Sequence, residues 1–355
     1  MDFTDWVTLG ETAIKDLLSV EHAATRHEME AKLSEQAIDP PICRRSIQPH
    51  VLTHSLKSAL QSGTVVKVEG VTRGGRAVAT YNLSDTRRRG RAVADASARK
   101  RLLQARFNGW AVGGVSTAFA GTMGASGEIA LQISMKSAAT NPAVPAAVAK
   151  PEVANPRLTQ LFGLEVPIGP LDNGMILLSN SSVIHIPVEI KNRRQWIYSD
   201  APELFQILSK AALMQQQSPD VNICPVLVCR RAHWTTFNLM KDLGGHVIPT
   251  KEQYVHPEID ERLVAEVRNE LGYDLLQTQQ PRPLLTSNFA NTLPRNAYEQ
   301  SQKWKQFAPT LATHFEVLRT LKRSRRRAFE ALLSTAAGDC GIPTTAKWRT
   351  GTASA

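Results

Sequence analysis

The chain has 355 residues, of which 42% are apolar, so it is long enough for two or three domains with a sizeable core. This apolar content excludes wholesale disorder, and the formal net charge of +10 favours a polyanionic partner. The four cysteines are too few for a disulfide scaffold and lack metal-ligand spacing, which predicts a reduced, cytoplasmic protein. They are Cys43, Cys224, Cys229 and Cys340.

Two segments bear on membrane targeting. Residues 1–6 are acidic and lack a basic region followed by an apolar core, so no signal peptide is expected. The longest uncharged run, residues 109–127, is interrupted by Gly, Ser and Thr and falls short of the roughly 20 mainly apolar residues of a membrane span. The expected polyanion is therefore nucleic acid, and no membrane partner is expected.

The first quarter of the chain predicts three helices followed by two strands. The second helix begins with a capping box, in which Thr25 precedes Glu28 by three residues. The two strands flank a Gly-rich turn, which is typical of a hairpin. In chain order the helices cover residues 12–20, 25–33 and 49–62, and the strands cover 65–68 and 77–81.

This order of elements resembles the winged helix-turn-helix family. In that family the third helix enters the major groove of DNA and the wing contacts phosphate or the minor groove, so residues 1–85 are expected to bind DNA. The alternative is a winged helix used for protein contacts or dimerisation. The DNA-binding residues that the resemblance implies are Arg44, Arg45, Gln48, His50, His54 and Lys57 on the third helix and its approach, and Arg73 and Arg76 on the wing.

Residues 86–156 have a less regular pattern. A basic linker over residues 87–91 leads into a predicted helix over 93–108. A strand is predicted over residues 128–133, after a Gly-rich stretch. Residues 140–156 are rich in Ala and Pro and are expected to form a loop or an insertion.

A second ordered block alternates strands with helices, which predicts an α/β domain with a mixed sheet over residues 86–270. Residues 271–355 are expected to form a basic, partly helical C-terminal region with a frayed end. The strands of the block are predicted at 175–178, 183–192, 221–229 and 247–248, and its helices at 202–216, 235–243 and 261–271, with a turn at 179–182.

The strand predicted over residues 183–192 carries the most informative pair of charges. Side chains two apart on a strand point the same way, so Glu189 and Lys191 share one face while aliphatic residues fill the other. A charge at the end of a nearly all-apolar strand needs a partner or a metal ion. Pro187 removes a donor from the strand ladder, which predicts a bulge or an edge position.

Together with Asp172, the following helix and the strand after it, this pair resembles the PD-(D/E)xK nuclease superfamily, whose fold is restriction-endonuclease-like. The resemblance implies that Asp172 and Glu189 bind Mg²⁺ or Mn²⁺ and that Lys191 is the catalytic lysine. An ExK triplet occurs by chance in many strands, so the order of elements carries the assignment. The alternatives are a hairpin turn at residues 172–174 and a cross-strand ion pair of Glu189 and Lys191 at a sheet edge.

Members of this superfamily often carry a further acidic residue on the first helix, and Glu128 and Glu165 are the candidates here. On the helix after the strand, Glu203, Gln206 and Lys210 form one polar stripe, which makes Gln206 and Lys210 additional site candidates. A solvated helix face is the alternative for this stripe. The candidates for phosphate contacts at the strand ends are Arg193, Arg194, Arg230, Arg231 and His233.

The sequence therefore predicts a winged-helix domain, a restriction-endonuclease-like mixed sheet flanked by helices, and a basic helical tail. The expected function is a DNA-binding, Mg-dependent endonuclease, a hydrolase that cuts phosphodiester bonds through Asp172, Glu189 and Lys191. The alternatives are a catalytically inactive nuclease-fold DNA-binding protein, such as a transcription or replication regulator, and a structural protein that binds nucleic acid through its tail. A homodimer is one expected assembly, because many nucleases dimerise to cut two strands.

Overall fold

The computed structural model of the chain has a mixed α/β fold with a mixed sheet, which confirms the class expected from the sequence. Among the described residues, no helix is both long enough and apolar enough to cross a bilayer. The structure describes residues 2–36, 45–72, 77–85, 90–113, 119–142, 146–149, 158–277, 279–321, 326–342 and 348.

The chain divides into two compact units. Unit 1 comprises residues 1–123 and 255–277, and unit 2 comprises residues 124–254 and 278–354. This division differs from the expected boundaries at residues 85 and 270, because the helix that begins at Gly90 and the whole segment 255–277 pack within unit 1. Both units are therefore discontinuous in sequence.

The helices and strands are numbered in chain order. The helices are α1 (Phe3–Glu21), α2 (Arg26–Met29), α3 (Pro49–Gln61), α4 (Gly90–Val112), α5 (Met123–Ala139), α6 (Pro202–Gln217), α7 (Trp234–Leu243), α8 (Glu261–Leu271), α9 (Pro283–Ser287), α10 (Leu293–Thr320) and α11 (Arg326–Asp339). The strands are β1 (Val65–Val68), β2 (Thr80–Leu83), β3 (Ala146–Val148), β4 (Gln160–Leu161), β5 (Leu164–Glu165), β6 (Asn173–Ser179), β7 (Ser182–Lys191), β8 (Asn222–Ile223), β9 (Val226–Cys229), β10 (His246–Pro249), β11 (Gln253–Val255) and β12 (Leu275–Gln277).

Helices α1 and α3 form one hydrophobic core of unit 1 with the antiparallel hairpin β1–β2, and α4 and α8 form another. Helix α3 begins at Pro49, which suits the first turn because a proline there leaves no N–H without a partner. Helix α2 has the expected capping box: the Thr25 hydroxyl accepts from Glu28 N at 3.3 Å, and the Glu28 carboxylate accepts from Thr25 N at 3.2 Å. Ala24 forms an antiparallel bridge with Tyr81 of β2, so three extended segments lie side by side.

A buried charge cluster joins α4 and α8 to α1 and α2 within unit 1. The Lys100 ammonium lies 2.8 Å from Glu21 Oε2 and 3.0 Å from Glu270 Oε1, and it also donates to Glu28. Lys32 Nζ lies 2.7 Å from a carboxylate oxygen of Glu21 and of Glu28. Burial lowers the pKa of Lys100, but the surrounding carboxylates outweigh it and hold that pKa above its usual range. The buried charges of these helices are thus compensated by one another.

Unit 2 is built on a mixed sheet with the strand order β10-β9-β7-β6-β3, and β8 also pairs with β7. Strands β3, β6 and β7 are antiparallel neighbours, whereas β9 runs parallel to β7 and β10 runs parallel to β9. Lys191 at the end of β7 is in register with Cys229 at the end of β9. The carboxyl ends of β7, β9 and β10 therefore meet at one edge of the sheet.

Two predictions for residues 128–156 were wrong. Residues 128–133 belong to the helix α5 rather than to a strand, and residues 146–148 of the expected loop form β3, which pairs with β6. The buried positions of α5 recur every three or four residues, but small side chains occupy several of them and weaken the apolar pattern. These positions are Met123, Ser126, Ala130, Leu131, Ser134, Met135 and Ala138.

Strand β7 is a central strand, so Pro187 does not lie at a sheet edge. It is in register with Gly174 of β6 on one side. On the other side the neighbouring chain is interrupted between β8 and β9, at Cys224 and Pro225. This interruption lies opposite a residue that has no N–H to donate. The expected turn before β7 is confirmed by positive φ angles of 48° at Asn180 and 58° at Ser181.

Over its described residues the C-terminal region is helical as expected, and its helices pack within unit 2. Helix α10 packs against α6, and its Trp304 and Phe315 are 0% and 1% exposed. Helix α11 contributes Phe329 and Leu333 to the same hydrophobic core. The basic residues Lys303 and Lys305 of α10 lie on a helix whose apolar side completes unit 2.

Candidate active site

Asp172, Glu189 and Lys191 lie together where β6 begins and β7 ends. Because these strands are antiparallel and Asn173 is in register with Val188, Asp172 lies beside Glu189. The Asp172 carboxylate accepts a hydrogen bond from Ile190 N at 2.8 Å. The Lys191 ammonium lies 2.8 Å from Glu189 Oε2 and 3.7 Å from Asp172 Oδ2. The structure thus brings together the three residues that the sequence singled out.

The hairpin alternative for residues 172–174 is wrong. Asn173 and Gly174 form the start of β6, and the turn of this hairpin lies at its other end. A Cβ atom on Gly174 would lie 2.3 Å from Leu161 Cδ1, so the glycine allows close packing rather than a turn. The ion pair of Glu189 and Lys191 does form, but it lies on a central strand with Glu189 fully buried, not at a sheet edge.

A second lysine completes the surroundings of Glu189. Lys210 on α6 is 2% exposed and donates to Glu189 Oε1 and to the carbonyl oxygen of Pro170. The polar stripe of this helix is therefore not a solvated face: Glu203 pairs with Arg193, and Gln206 is half-buried. Lys210, one of the additional candidates from the sequence, therefore lies at the site, and its place between apolar residues of the helix is consistent with its burial.

Burial and neighbouring charges shift the pKa values of Asp172, Glu189 and Lys191. Burial and the nearby charge of Glu189 raise the pKa of Asp172 to about 7. Burial also disfavours the charged form of Glu189, but the ammonium groups of Lys191 and Lys210 outweigh it and lower the pKa of that carboxyl. Burial lowers the pKa of Lys191, but Glu189 and Asp172 outweigh it, so the lysine stays protonated. Two carboxyl groups at close range with one pKa raised to about 7 form an unusual pair.

Of the two candidates for a further acidic residue, Glu128 is the one near this site. Helix α5 approaches the end of β7 closely at Gly127, where a Cβ atom would lie 2.6 Å from Asn192 Cβ. The charge of Glu128 on the next residue contributes to the raised pKa of Lys191. Glu165 is exposed on the separate hairpin β4–β5, in register with Gln160.

Two converging carboxylates can hold one hard divalent cation. Mg²⁺ is often bound through one or two carboxylates with several waters, and Asp172 and Glu189 are the two carboxylates at this site. Within the part of the chain that the structure describes, no group of three or more His, Cys, Asp or Glu side chains is arranged to hold a metal ion. The ammonium of Lys210 competes with any cation for Glu189 Oε1.

The expected DNA-binding residues of unit 1 are described only in part. His54 and Lys57 are exposed on α3, Arg45 is exposed before it, and Gln48 and His50 are half-buried at its start. The His54 ring also contacts Phe3 edge to face, with ring centroids 5.2 Å apart. The other expected residues, which lie outside the described part of the chain, are Arg44, Arg73 and Arg76.

Comparison of the chain with protein-family models, with curated proteins and with solved structures gives no match.

Proposed function

We propose that this protein is a Mg²⁺-dependent endonuclease that hydrolyses phosphodiester bonds in DNA. The observation that carries the proposal is the convergence of Asp172, Glu189 and Lys191 at the ends of two adjacent strands. Two carboxylates with a lysine beside them are what metal-assisted phosphodiester hydrolysis needs. Mn²⁺ is expected to replace Mg²⁺.

The order of elements in unit 2 supports a restriction-endonuclease-like fold. Apart from the separate hairpin β4–β5 and the short strand β8, the helix α5 is followed by the antiparallel strands β3, β6 and β7, then by α6, and then by β9 parallel to β7. This is the core order of the PD-(D/E)xK superfamily that the sequence resembles. Glu128 lies on the first helix of this core and would supply the further acidic residue.

The residues of the site would act as follows. Asp172 and Glu189 would hold the ion, and the chemistry that a bound Mg²⁺ supplies is polarisation of the phosphate and acidification of a water molecule. The Lys191 ammonium is placed beside both carboxylates and would donate a hydrogen bond to that water or to a phosphate oxygen, where negative charge develops. Lys210 would hold Glu189 in position from α6.

Unit 1 supports the DNA part of the proposal. Its α1, α2 and α3 followed by the hairpin β1–β2 have the order of a winged helix, and the extended contact of Ala24 with Tyr81 adds a third segment to the hairpin. The exposed side of α3 carries His54 and Lys57, so we infer that this helix faces DNA. The net charge of +10 favours the same partner.

A second candidate function is DNA binding without cleavage. Lys210 favours it, because its ammonium already occupies Glu189 Oε1 and, with Lys191, balances the charge of the two carboxylates without a metal ion. In that case the nuclease fold would serve as a scaffold in a regulator or a replication factor.

Cleavage assays separate these functions. The intact chain is incubated with supercoiled, linear, single-stranded and branched DNA in Mg²⁺ and, in parallel, in EDTA. The nuclease is supported if cleavage needs Mg²⁺ and is lost in Lys191→Ala. The control is Lys136→Ala, which changes an exposed lysine of the same unit and is expected to keep cleavage. No cleavage of any substrate refutes it. Salt-sensitive binding without cleavage supports the second candidate, and no binding at about 50 mM salt refutes both.

A further inference from the structure

Strand β1 of unit 1 is an edge strand with one open side. Within the described residues it pairs with β2 alone, and no strand lies on its other side. Ser84 N donates to the Thr64 carbonyl at 3.0 Å, so Thr64 directs its main-chain groups toward the β2 side. Because this direction alternates along an antiparallel strand, the N–H and carbonyl groups of Val65, Lys67 and Glu69 point away from β2.

The extended chain continues beyond β1 in the same register. Val78 N donates to the Gly70 carbonyl at 2.8 Å, and Val71 forms an antiparallel bridge with Ala77. We call residues 64–72 the edge segment. Its sequence is Thr-Val-Val-Lys-Val-Glu-Gly-Val-Thr.

The edge segment is nearly symmetric in sequence about Val68, with opposite charges on the two sides of this centre. When two copies of such a segment pair antiparallel about a two-fold axis at Val68, each position meets its match in the other copy. The matching positions, from the ends inward, are Thr64 with Thr72, Val65 with Val71, Val66 with Gly70, and Lys67 with Glu69.

The same pairing uses the open main-chain groups of the strand. Lys67 of each copy lies opposite Glu69 of the other, and because both point away from β2 they can exchange both N–H···O bonds. Val68 meets itself on the axis in a non-hydrogen-bonded pair, where opposite side chains approach most closely. The register that matches the charges is therefore also the one that pairs the backbone.

The edge segment also leaves apolar surface uncovered. Val66 and Val68 on one face are 37% and 39% exposed, and Val71 is 70% exposed. On the face of these two valines, Thr80 of β2 is buried and accepts from Arg101 Nη2 of α4 at 3.2 Å. The helix therefore covers β2 but leaves the two valines open. An edge strand with exposed apolar side chains is a template for pairing with another chain.

We propose that the edge segment pairs with the edge segment of a second copy of this chain, which joins two hairpins β1–β2 into one sheet of a two-fold dimer. The occupant is a second copy because the charge pattern and the sequence symmetry both match the segment to itself. Lys67 and Glu69 also contact each other within one chain, so the dimer brings four alternating charges together. An axis at Lys67 would instead place Lys67 opposite itself, so charge selects the register about Val68.

The test measures the mass of the intact chain by analytical ultracentrifugation, without DNA or Mg²⁺. The mass of the unmodified protein is expected to rise from 39.0 kDa toward twice that value as its concentration approaches about 100 μM. Lys67→Glu and Glu69→Lys each put like charges opposite each other at two places, so each is expected to weaken the dimer at least about 10-fold. The control is Lys136→Glu, an exposed lysine of unit 2, which is expected to dimerise like the unmodified protein.

Mixing the two variants tests the register. One variant then carries two acidic residues and the other two lysines, so a mixture is expected to form a heterodimer although each variant alone stays monomeric. The chain that combines Lys67→Glu with Glu69→Lys restores both opposite-charge pairs and is expected to dimerise by itself. Association in the mixture also shows that both single variants are folded.

Three results would overturn this dimer. They are a monomeric unmodified protein at about 100 μM, single variants that dimerise as well as the unmodified protein, and a mixture of the two variants that stays monomeric. Because the assay contains neither DNA nor Mg²⁺, these results are independent of the proposed nuclease function.

Discussion

Lys210 offers the sharpest test of how Glu189 is held. In Lys210→Met the fully buried Glu189 keeps only the ammonium of Lys191, 2.8 Å away, and the Pro170 carbonyl loses its donor. Breaking a buried ion pair completely costs about 3–5 kcal/mol, so the loss of one cation of two is expected to cost about 2–3 kcal/mol. The lost hydrogen bond to the carbonyl adds about 1 kcal/mol. The expected total is about 3–4 kcal/mol of unfolding free energy.

The same variant is expected to respond more strongly to Mg²⁺ than the unmodified protein. With the ammonium removed, a cation no longer competes with Lys210 for Glu189 Oε1. A ligand at about 100 times its Kd stabilises the folded state by about 2.7 kcal/mol, so Mg²⁺ is expected to recover most of the loss.

Urea unfolding followed by tryptophan fluorescence, in EDTA and in Mg²⁺, measures both effects. The control is Lys136→Met, an exposed lysine of the same unit, which is expected to stay within about 0.5 kcal/mol. The reasoning would be refuted if Lys210→Met lost less than about 1 kcal/mol of unfolding free energy in EDTA. It would also be refuted if Mg²⁺ stabilised Lys210→Met and the unmodified protein equally.

Two further predictions concern the neighbours of this site. The pKa of Asp172 is raised to about 7 in the folded protein, so the folded state holds an extra proton and loses stability as the pH rises from about 4 to about 7. In EDTA, Asp172→Asn is therefore expected to become more stable relative to the unmodified protein as the pH rises over that range. A stability difference that does not depend on pH would contradict this prediction. In Gly127→Ala the new Cβ would lie 2.6 Å from Asn192 Cβ, so α5 has to shift, with an expected loss of about 1–3 kcal/mol in unfolding free energy. Gly124→Ala on the same helix meets no atom within 4 Å and is expected to cost nothing; equal effects of the two alanines would show that the close approach is unimportant.

Local signals predicted the helices that begin or end at a strong boundary residue. Pro202 begins α6, and Gly244 and Gly272 follow the ends of α7 and α8 with positive φ. Because these signals act over a few residues, they needed no knowledge of the rest of the chain. The same holds for the pair Glu189 and Lys191, whose common face follows from strand geometry alone.

Long-range packing decided the elements that the sequence did not reveal. Helix α5 buries Ser126 and Ser134 where an apolar residue would have shown the helical period, so the run after Glu128 resembled a strand. The basic residues of helix α10 drew attention in the sequence, so the row of buried residues that includes Trp304 was not recognised. Lys210 reaches Glu189 only because α6 packs on the sheet, and no local pattern specifies that contact.

The buried charge cluster of unit 1 sets a condition on how the chain can be made. Lys100 needs Glu270 as well as Glu21 and Glu28, yet 170 residues separate it from the Glu270 carbonyl oxygen, to which it also donates. During synthesis, the first unit therefore cannot complete its interior until most of the second has left the ribosome. A fragment that ends near residue 123 would leave a buried ammonium short of acceptors, so neither unit can be isolated by a single cut of the chain.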